Sequence, residues 1–411
     1  MGPLDVPARD AWNADAAAVP WDGARGRGGG VARRWQVSTG VATAGMAMPP
    51  LGLYSVSVLA PFLTEQWELS RAALGLLVSV MFGVAAGMSL VTGQVVDVVG
   101  ERRGLLALAT VMVGAMSIAS LAQSYPWLVV AVALAGVGQA LANPATNLLV
   151  AGDVPAERRG MAVGIKQSGV QFAALGSGLF LPAVAAAAGW RAGFGLATLL
   201  AVGLLLVVWW LVPRGHSAAG TRWRWARPPA WVIGLMVYSL LMGGSIATVT
   251  SYLPLYAVEQ LELAGWVGGA ALSLFGLAGI VARMWWGRWT DRSPHVRPVL
   301  VWLAAGAAVS VMFLLLAAAV SAGLVWLAAL GVGATAAAAN AIVMVAVLRK
   351  GGTGHAAGIV SVGFFAGFVV GPATFGLIAD ANGYAAAWCL TATGFVAAAA
   401  LPVLLRRQVA V

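Results

Sequence analysis

The sequence predicts an all-α membrane protein, with twelve transmembrane helices arranged as two pseudo-symmetric six-helix bundles. Three observations carry this. Of 411 residues, 61% are hydrophobic and 9% charged, and mean hydropathy is +0.88, whereas a soluble domain carries about 25% charged residues. The apolar residues form unbroken runs of roughly the 20 residues that one helix needs to cross a bilayer, whereas β-barrel strands would be about 10 residues of alternating polarity. Lastly, the chain is built twice. Glu65-Gln66 and Glu68-Leu69 return 194 positions later as Glu259-Gln260 and Glu262-Leu263. Gly93 and Asp97 return as Gly287 and Asp291, Gly160 as Gly354, and Gly189-Trp190 as Gly383-Tyr384. Two membrane-like halves imply a solute site at their interface.

The runs fall near 37–63, 72–96, 104–123, 126–150, 161–187, 192–213, 230–256, 265–286, 297–319, 322–348, 357–380 and 384–405. Residues 1–34 are polar and Gly/Ala-rich and are expected to be disordered. The first bundle is expected over 35–213. A central linker follows over 214–229, with Arg214, Arg222, Arg224, Arg227 and Pro228-Pro229. The second bundle, with a short tail, is expected over 230–411. Spans three, six, nine and twelve are apolar all round and should face lipid. Polar residues collect in spans one, four, five, seven, eight and ten.

The formal charge of +10 could suggest nucleic acid, but its placement argues otherwise. The arginines near 25–34, Arg102 and Arg103, Arg158 and Arg159, the linker set, Arg288, Arg292 and Arg297, Arg349 and Lys350, and Arg406 and Arg407 occupy every second connection and both ends. The intervening connections hold only Arg71 and Arg191. This bias places both termini in the cytoplasm, in the cytoplasmic (inner) membrane. The partners expected are therefore the lipid bilayer and a small molecule, not nucleic acid, for a monomeric chain.

Gly93-Gln94-Val95-Val96-Asp97-Val98-Val99-Gly100-Glu101-Arg102-Arg103 joins spans two and three. It resembles the Gly-x-x-x-Asp-x-x-Gly-x-Arg-Arg loop signature of the major facilitator superfamily. With twelve spans, a six-plus-six repeat and a basic central loop, the resemblance covers residues 37–405. It implies a secondary active transporter that works by alternating access. Gly93 would let a neighbouring helix approach closely. Asp97 would face the N-terminal end of the eleventh span, and Asp291 that of the fifth. Gly93, Asp97, Gly100, Arg102 and Arg103, with Gly287, Asp291 and Arg292, are thus the expected gating set. The chain departs from the family pattern at Val98, usually basic, and at Ser293-Pro294-His295, which replaces the Gly-x-Arg-Arg end of the second copy. Val132 precedes Gly136 where proton-coupled members often carry Arg, and Gly176-Ser177-Gly178 stands where antiporters often carry Gly-Pro. Neither position supports proton-driven drug export.

Inside the membrane, span four carries Gln139, Asn143 and Asn147 in steps of four, on one helix face. Span five carries Gln167 and Gln171 in the same step, beside Lys166 and Ser168. Tyr54, Tyr238 and Asn340 add polar groups in spans one, seven and ten. Each amide could instead bond between helices, an interaction of about 0.6–2 kcal/mol. Lys166 and Arg283 are the cations within spans, and a cation at the bilayer centre costs roughly 2.5–3.5 kcal/mol even on the gentler scale. Lys166 could snorkel to the nearby interface, and Arg283, one turn before Gly287, could brace the loop. The Arg-x-x-x-Gly arrangement of span eight also looks like that of monocarboxylate transporters within the superfamily, whose first-span signature is absent.

All 14 acids lie outside span centres, with Asp380 the nearest. The cavity is therefore expected to bind a small anion, an organic acid, through Lys166, Gln167, Gln171, Arg283, Gln139, Asn143, Tyr54, Tyr238 and Asn340. Efflux of a hydrophobic drug or metabolite past Met46, Met48, Met81 and Met242 is the alternative within transporters, and a non-transporting sensor or scaffold the alternative of another class. No nucleotide-binding loop, HExxH or paired Cys/His set occurs, so no enzyme, metal or cofactor is expected. Gly136-Val137-Gly138 and Gly331-Val332-Gly333 sit mid-span with no strand before them, and read as close helix packing.

Overall fold

The computed structural model describes residues 28–213, 228–293, 295–350 and 354–404. The leader 1–27, most of the linker (214–227) and the tail 405–411, with their arginines, lie outside the described residues.

The described chain is helical throughout. The first half comprises α1 (Gly28–Trp67), α2 (Arg71–Val99), α3 (Glu101–Ser120), α4 (Tyr125–Asp153), α5 (Arg159–Gln167), α6 (Gly169–Ala188) and α7 (Trp190–Leu211). The second comprises α8 (Ala230–Glu259), α9 (Gly265–Arg292), α10 (Arg297–Ala319), α11 (Leu324–Arg349) and α12 (Gly354–Leu404). α5 and α6 together make span five, and α12 holds spans eleven and twelve, broken at Gly383. Twelve spans result, as the sequence predicts.

Local chemistry sets the ends. Ser70 caps α2 by accepting from the Ala73 N–H, and Pro126 and Pro298 stand in the first turns of α4 and α10. The repeat extends to backbone conformation. Gly189 and Gly383 share φ near 80° with extended ψ, where a side chain would clash. Glu68 and Glu262, also 194 apart, both adopt φ near 50°.

Two expectations about extent are corrected. α1 begins at Gly28, inside the leader expected to be disordered. Arg34 and Ser38 tie this end of α1 to Asp153 at the end of α4 (2.7 and 2.6 Å), and Arg158 lies over the Trp35 ring. Span five is not one helix, because it breaks at Ser168-Gly169, a residue pair of the kind that kinks helices.

The halves meet along α2 with the first part of α12, along α6 with α9, and where α1 crosses α8. Small residues make this possible. A methyl on Gly178 would collide with the Gly269 carbonyl, and one on Gly75 with the Pro372 carbonyl. Gly136 and Gly333 meet neighbouring backbone in the same way, which accounts for the mid-span Gly-Val-Gly runs. Leu199, Leu206, Trp209 and Trp210 of α7 and Trp302, Val309 and Met312 of α10 point outward, as expected of lipid-facing spans.

The halves part at the other end. A methyl on Gly87, Gly93, Gly287 or Gly358 would meet nothing within 4 Å. The close approach expected at Gly93 and Gly287 is therefore not made in this conformation. Gly178→Val should lower the thermal unfolding midpoint, at a cost of about 1–3 kcal/mol for overpacking. Gly93→Ala should leave the midpoint level or raise it, with a stability gain of up to about 0.5–1 kcal/mol through reduced unfolded-state entropy. Scanning calorimetry of the detergent-solubilised protein would compare them.

Candidate functional site

A central cavity of ≈ 840 Å³ of non-atom space, partly continuous with solvent, lies between the halves. Seven of the nine residues expected to contact solute line it, namely Tyr54 of α1, Gln139 and Asn143 of α4, Gln167 of α5, Gln171 of α6, Arg283 of α9 and Asn340 of α11. None of its lining residues is acidic.

The helix break at Ser168 builds one corner. The Gln171 N–H turns to the Ser168 carbonyl, which releases the Gln167 carbonyl from the helix ladder. Arg283 Nη1 donates to that carbonyl across the interface (2.9 Å). Gln167 Nε2 donates to Asn143 Oδ1 (3.3 Å), so the corner is a connected polar patch. It is not saturated, because Arg283 Nε, Gln139 Oε1, Gln171 Oε1 and Asn340 Oδ1 are buried without a hydrogen-bond partner. Gln139 and Gln171 are 7% and 2% exposed. Buried polar groups without a protein partner cost about 1–3 kcal/mol each, so these four atoms are groups with which a polar solute or water can pair.

Lys166 and Tyr238 are corrections to the expected set, since neither lines the cavity. Lys166 precedes Gln167, and successive helical residues point roughly 100° apart; here that step turns Lys166 away from the cavity and into the first half. Lys166 is fully buried within the first half and donates to Thr146 Oγ1 (2.9 Å) and Asn147 Oδ1 (2.6 Å). Asn147, third of the span-four stripe, thereby serves the lysine. Tyr238 lies two turns before the cavity residue Ile246, and its hydroxyl donates to the Leu300 carbonyl of α10 (2.9 Å).

The sequence reading missed the phenylalanines. Phe82 of α2, Phe275 of α9, and Phe364, Phe365 and Phe368 of α12 all line the cavity. The signal was the Phe-Phe-x-x-Phe spacing, which puts 364, 365 and 368 on one helix face.

It also missed the closure at one end. Arg71 Nη2 and Nε contact Glu259 Oε2 (2.9 and 3.0 Å), and Nη1 lies 3.9 Å from Asp380. Asp380 also accepts the first N–H groups of α2, from Arg71 (3.1 Å) and Ala72 (2.9 Å). The Tyr384 hydroxyl donates to Glu259 (2.8 Å), and its ring lies 4.5 Å beneath the Arg71 guanidinium. One arginine of the first half thus binds three residues of the second.

The loop-signature residues sit at the opposite end. Gly100 turns the chain from α2 into α3 with φ 85°. Arg102 donates to the Trp209 carbonyl (2.9 Å), near the end of α7, and lies over the Trp209 ring. That bond lies within the first half, so Arg102 braces α3 against α7 here instead of bridging the halves. Arg103 and Arg292 are exposed and Asp97 is half-buried. The Asp291 side chain lies outside the described residues.

Asn147→Leu should lower the unfolding midpoint, at a stability cost of about 1–3 kcal/mol, because it leaves a buried amino group short of an acceptor. Adding Lys166→Met should recover most of that loss, since removing both partners of a buried pair is nearly neutral. Thermal unfolding of the single and double variants tests this, and purely additive losses would contradict the pairing.

The model of the Major Facilitator Superfamily matches residues 41–358 and 267–410. A gallate transporter of Pseudomonas putida is 32% identical over 202 residues, 47% of this chain and 42% of that protein. A probable sulfoacetate transporter of Cupriavidus necator is 33% identical over 143 residues, 34% of this chain and 33% of that protein. These matches therefore span less than half of the relatives' own lengths. An uncharacterised MFS-type transporter of Mycobacterium tuberculosis is 30% identical over 305 residues, 70% of this chain and 65% of that protein. In fold, the chain resembles a bacterial homologue of the human lysosomal transporter Spinster, in an inward-facing and occupied conformation. The TM-score is 0.71 at 16% identity, covering 93% of this chain and 98% of that one. It resembles the nucleoside transporter NupG similarly, with TM-score 0.73 at 11% identity, covering 90% of this chain and 100% of that one. With a family model matched across the chain and twelve helical spans around a central cavity, this multi-pass membrane protein belongs to the Major Facilitator Superfamily.

Proposed function

We propose that the protein carries a small organic anion across the cytoplasmic membrane by alternating access. The observation that carries this is Arg283, a guanidinium in a cavity without a carboxylate, with one donor unpaired. A cation placed so faces water, substrate or counter-charge. The gallate and sulfoacetate transporters among the relatives are named for anions, which supports the same reading.

The charge bias places both termini and the Gly93 end in the cytoplasm. In that frame the Arg71 end is external and shut, and the cavity faces inward. Reversal would part Arg71 from Glu259 and Asp380 and bring neighbouring helices onto Gly93 and Gly287, with the bundles 35–213 and 230–411 rocking about the cavity. Asp97 and Asp291 would then meet helix N-termini across the closed inner end. The unit is a monomer in this reading, because each chain carries both halves of the site.

A second reading, efflux of a hydrophobic solute, is favoured by Met46 and the phenylalanines of the cavity. Uptake by proteoliposomes separates the two. For an anion carrier, Arg283→Gln should reduce flux at least tenfold while the protein still unfolds cooperatively. Undiminished anion flux in that variant would sink the proposal. The gate has its own test, in a Cys389→Ala background because Cys389 is exposed. Arg71→Ala should speed labelling of Ser79→Cys by an impermeant maleimide from outside. Loss of roughly 1–2 kcal/mol from the closed state corresponds to a factor of about 5–30 in the equilibrium.

A further inference from the structure

We propose that the substrate is an aromatic monocarboxylate, its ring against a phenylalanine wall and its carboxylate on Arg283. This deepens the anion reading above and rests on it for the role of Arg283.

The two halves meet the cavity with equivalent positions that carry different chemistry. Gln171 and Phe365 are 194 residues apart and both line it, as do Val170 and Phe364, Gln167 and Ser361, and Asn143 and Ala337. In each pair the fold supplies the same placement. The first half fills three of the four with amides, and the second fills two with rings. The cavity is therefore two-faced. Phe82, Phe365 and Phe368 form one cluster, with Phe82 4.3 Å from Phe368 and 5.9 Å from Phe365, ring centre to ring centre. The Phe364 ring lies 4.9 Å from that of Phe368, tilted by 44°. These rings come from α2 and α12, which pack together. Among the other lining elements, α4, α5, α6 and α9 bring Gln139, Asn143, Gln167, Gln171 and Arg283, with Phe275 of α9 beside them.

Charge limits the guest further. Arg283 is the one cation among the cavity's lining residues. It compensates one carboxylate, and a second in the same cavity would have no cationic partner among the lining residues. Its Nη1 is committed to the Gln167 carbonyl, while Nε is buried and free. The bare oxygens of Gln139, Gln171 and Asn340 accept hydrogen bonds, which suits a ring hydroxyl. A planar guest with an apolar face and one anionic edge meets both walls.

The test is a binding series on the purified full-length chain by isothermal titration calorimetry. The probes are 4-hydroxybenzoate, cyclohexanecarboxylate, acetate, terephthalate and 4-hydroxybenzamide. 4-Hydroxybenzoate should bind tightest. It should exceed cyclohexanecarboxylate by roughly threefold to tenfold, the scale of an aromatic contact beyond its buried area. Acetate and the dianion terephthalate should bind far more weakly. Phe365→Leu, which keeps an apolar side chain, should bring the two ring acids within twofold of each other. Equal affinity for 4-hydroxybenzoate and acetate, or a ring preference unchanged in Phe365→Leu, overturns the aromatic assignment and leaves the anion reading standing. Binding of 4-hydroxybenzamide as tight as the acid, undiminished in Arg283→Gln, overturns the anion reading itself. No binding by any of the probes overturns both. The comparisons of 4-hydroxybenzoate with acetate and with 4-hydroxybenzamide are made on the wild-type chain, so a variant that fails to fold does not spare the proposal.

Discussion

The grip of Arg71 on Glu259, Asp380 and Tyr384 is the contact on which the rest of the arrangement depends. It joins the two halves at one end, and the other cross-contacts follow from it down the seam. The Gly75–Pro372 and Gly178–Gly269 approaches bring backbones together, and Ser57 of α1 donates to the Thr250 and Ser251 carbonyls of α8. Arg283 and Gln167 carry a further hydrogen bond between the halves, at the cavity.

Lipid makes the pinning effective. Within hydrocarbon, every backbone group must be satisfied inside its own helix or by a neighbour. The halves are therefore stiff bodies that move as units, and their freedom lies in the seam between them. The exceptions to helical satisfaction are informative for that reason. The break at Ser168 frees one carbonyl, and Arg283 occupies it. Lys166, one residue earlier, is held by Thr146 and Asn147 inside the first half. One broken turn thus separates two cations by role, one fixed within a bundle and the other presented to the cavity.

Asymmetry laid over symmetry gives the site its character. The repeat fixes shape down to the positive φ of Gly189 and Gly383, which begin equivalent spans with equivalent turns. It does not fix side chains. Where equivalent positions reach the cavity, Gln171 answers to Phe365, Gln167 to Ser361 and Asn143 to Ala337, and a guanidinium stands where the other half has Ser89. Two identical halves would line the cavity with like residues, whereas these line it with both amides and phenylalanines.

The sequence by itself determined the twelve spans, their pairing into halves and most of the polar residues that face the cavity. These are local or periodic properties, and an apolar run long enough to cross a bilayer has one way to satisfy its backbone. Steps of four placed Gln139 and Asn143 on one face without knowledge of the neighbours. Tertiary structure decided what depends on distant partners. Arg71 reads as a stray charge until Glu259, 188 residues on, and Asp380, 309 residues on, are brought against it. Lys166 reads as a cavity cation until the direction of its helix turns it toward Asn147. Gly93 and Gly287 read as packing glycines, yet face open space in this conformation, because closure at one end of two rigid bundles requires separation at the other.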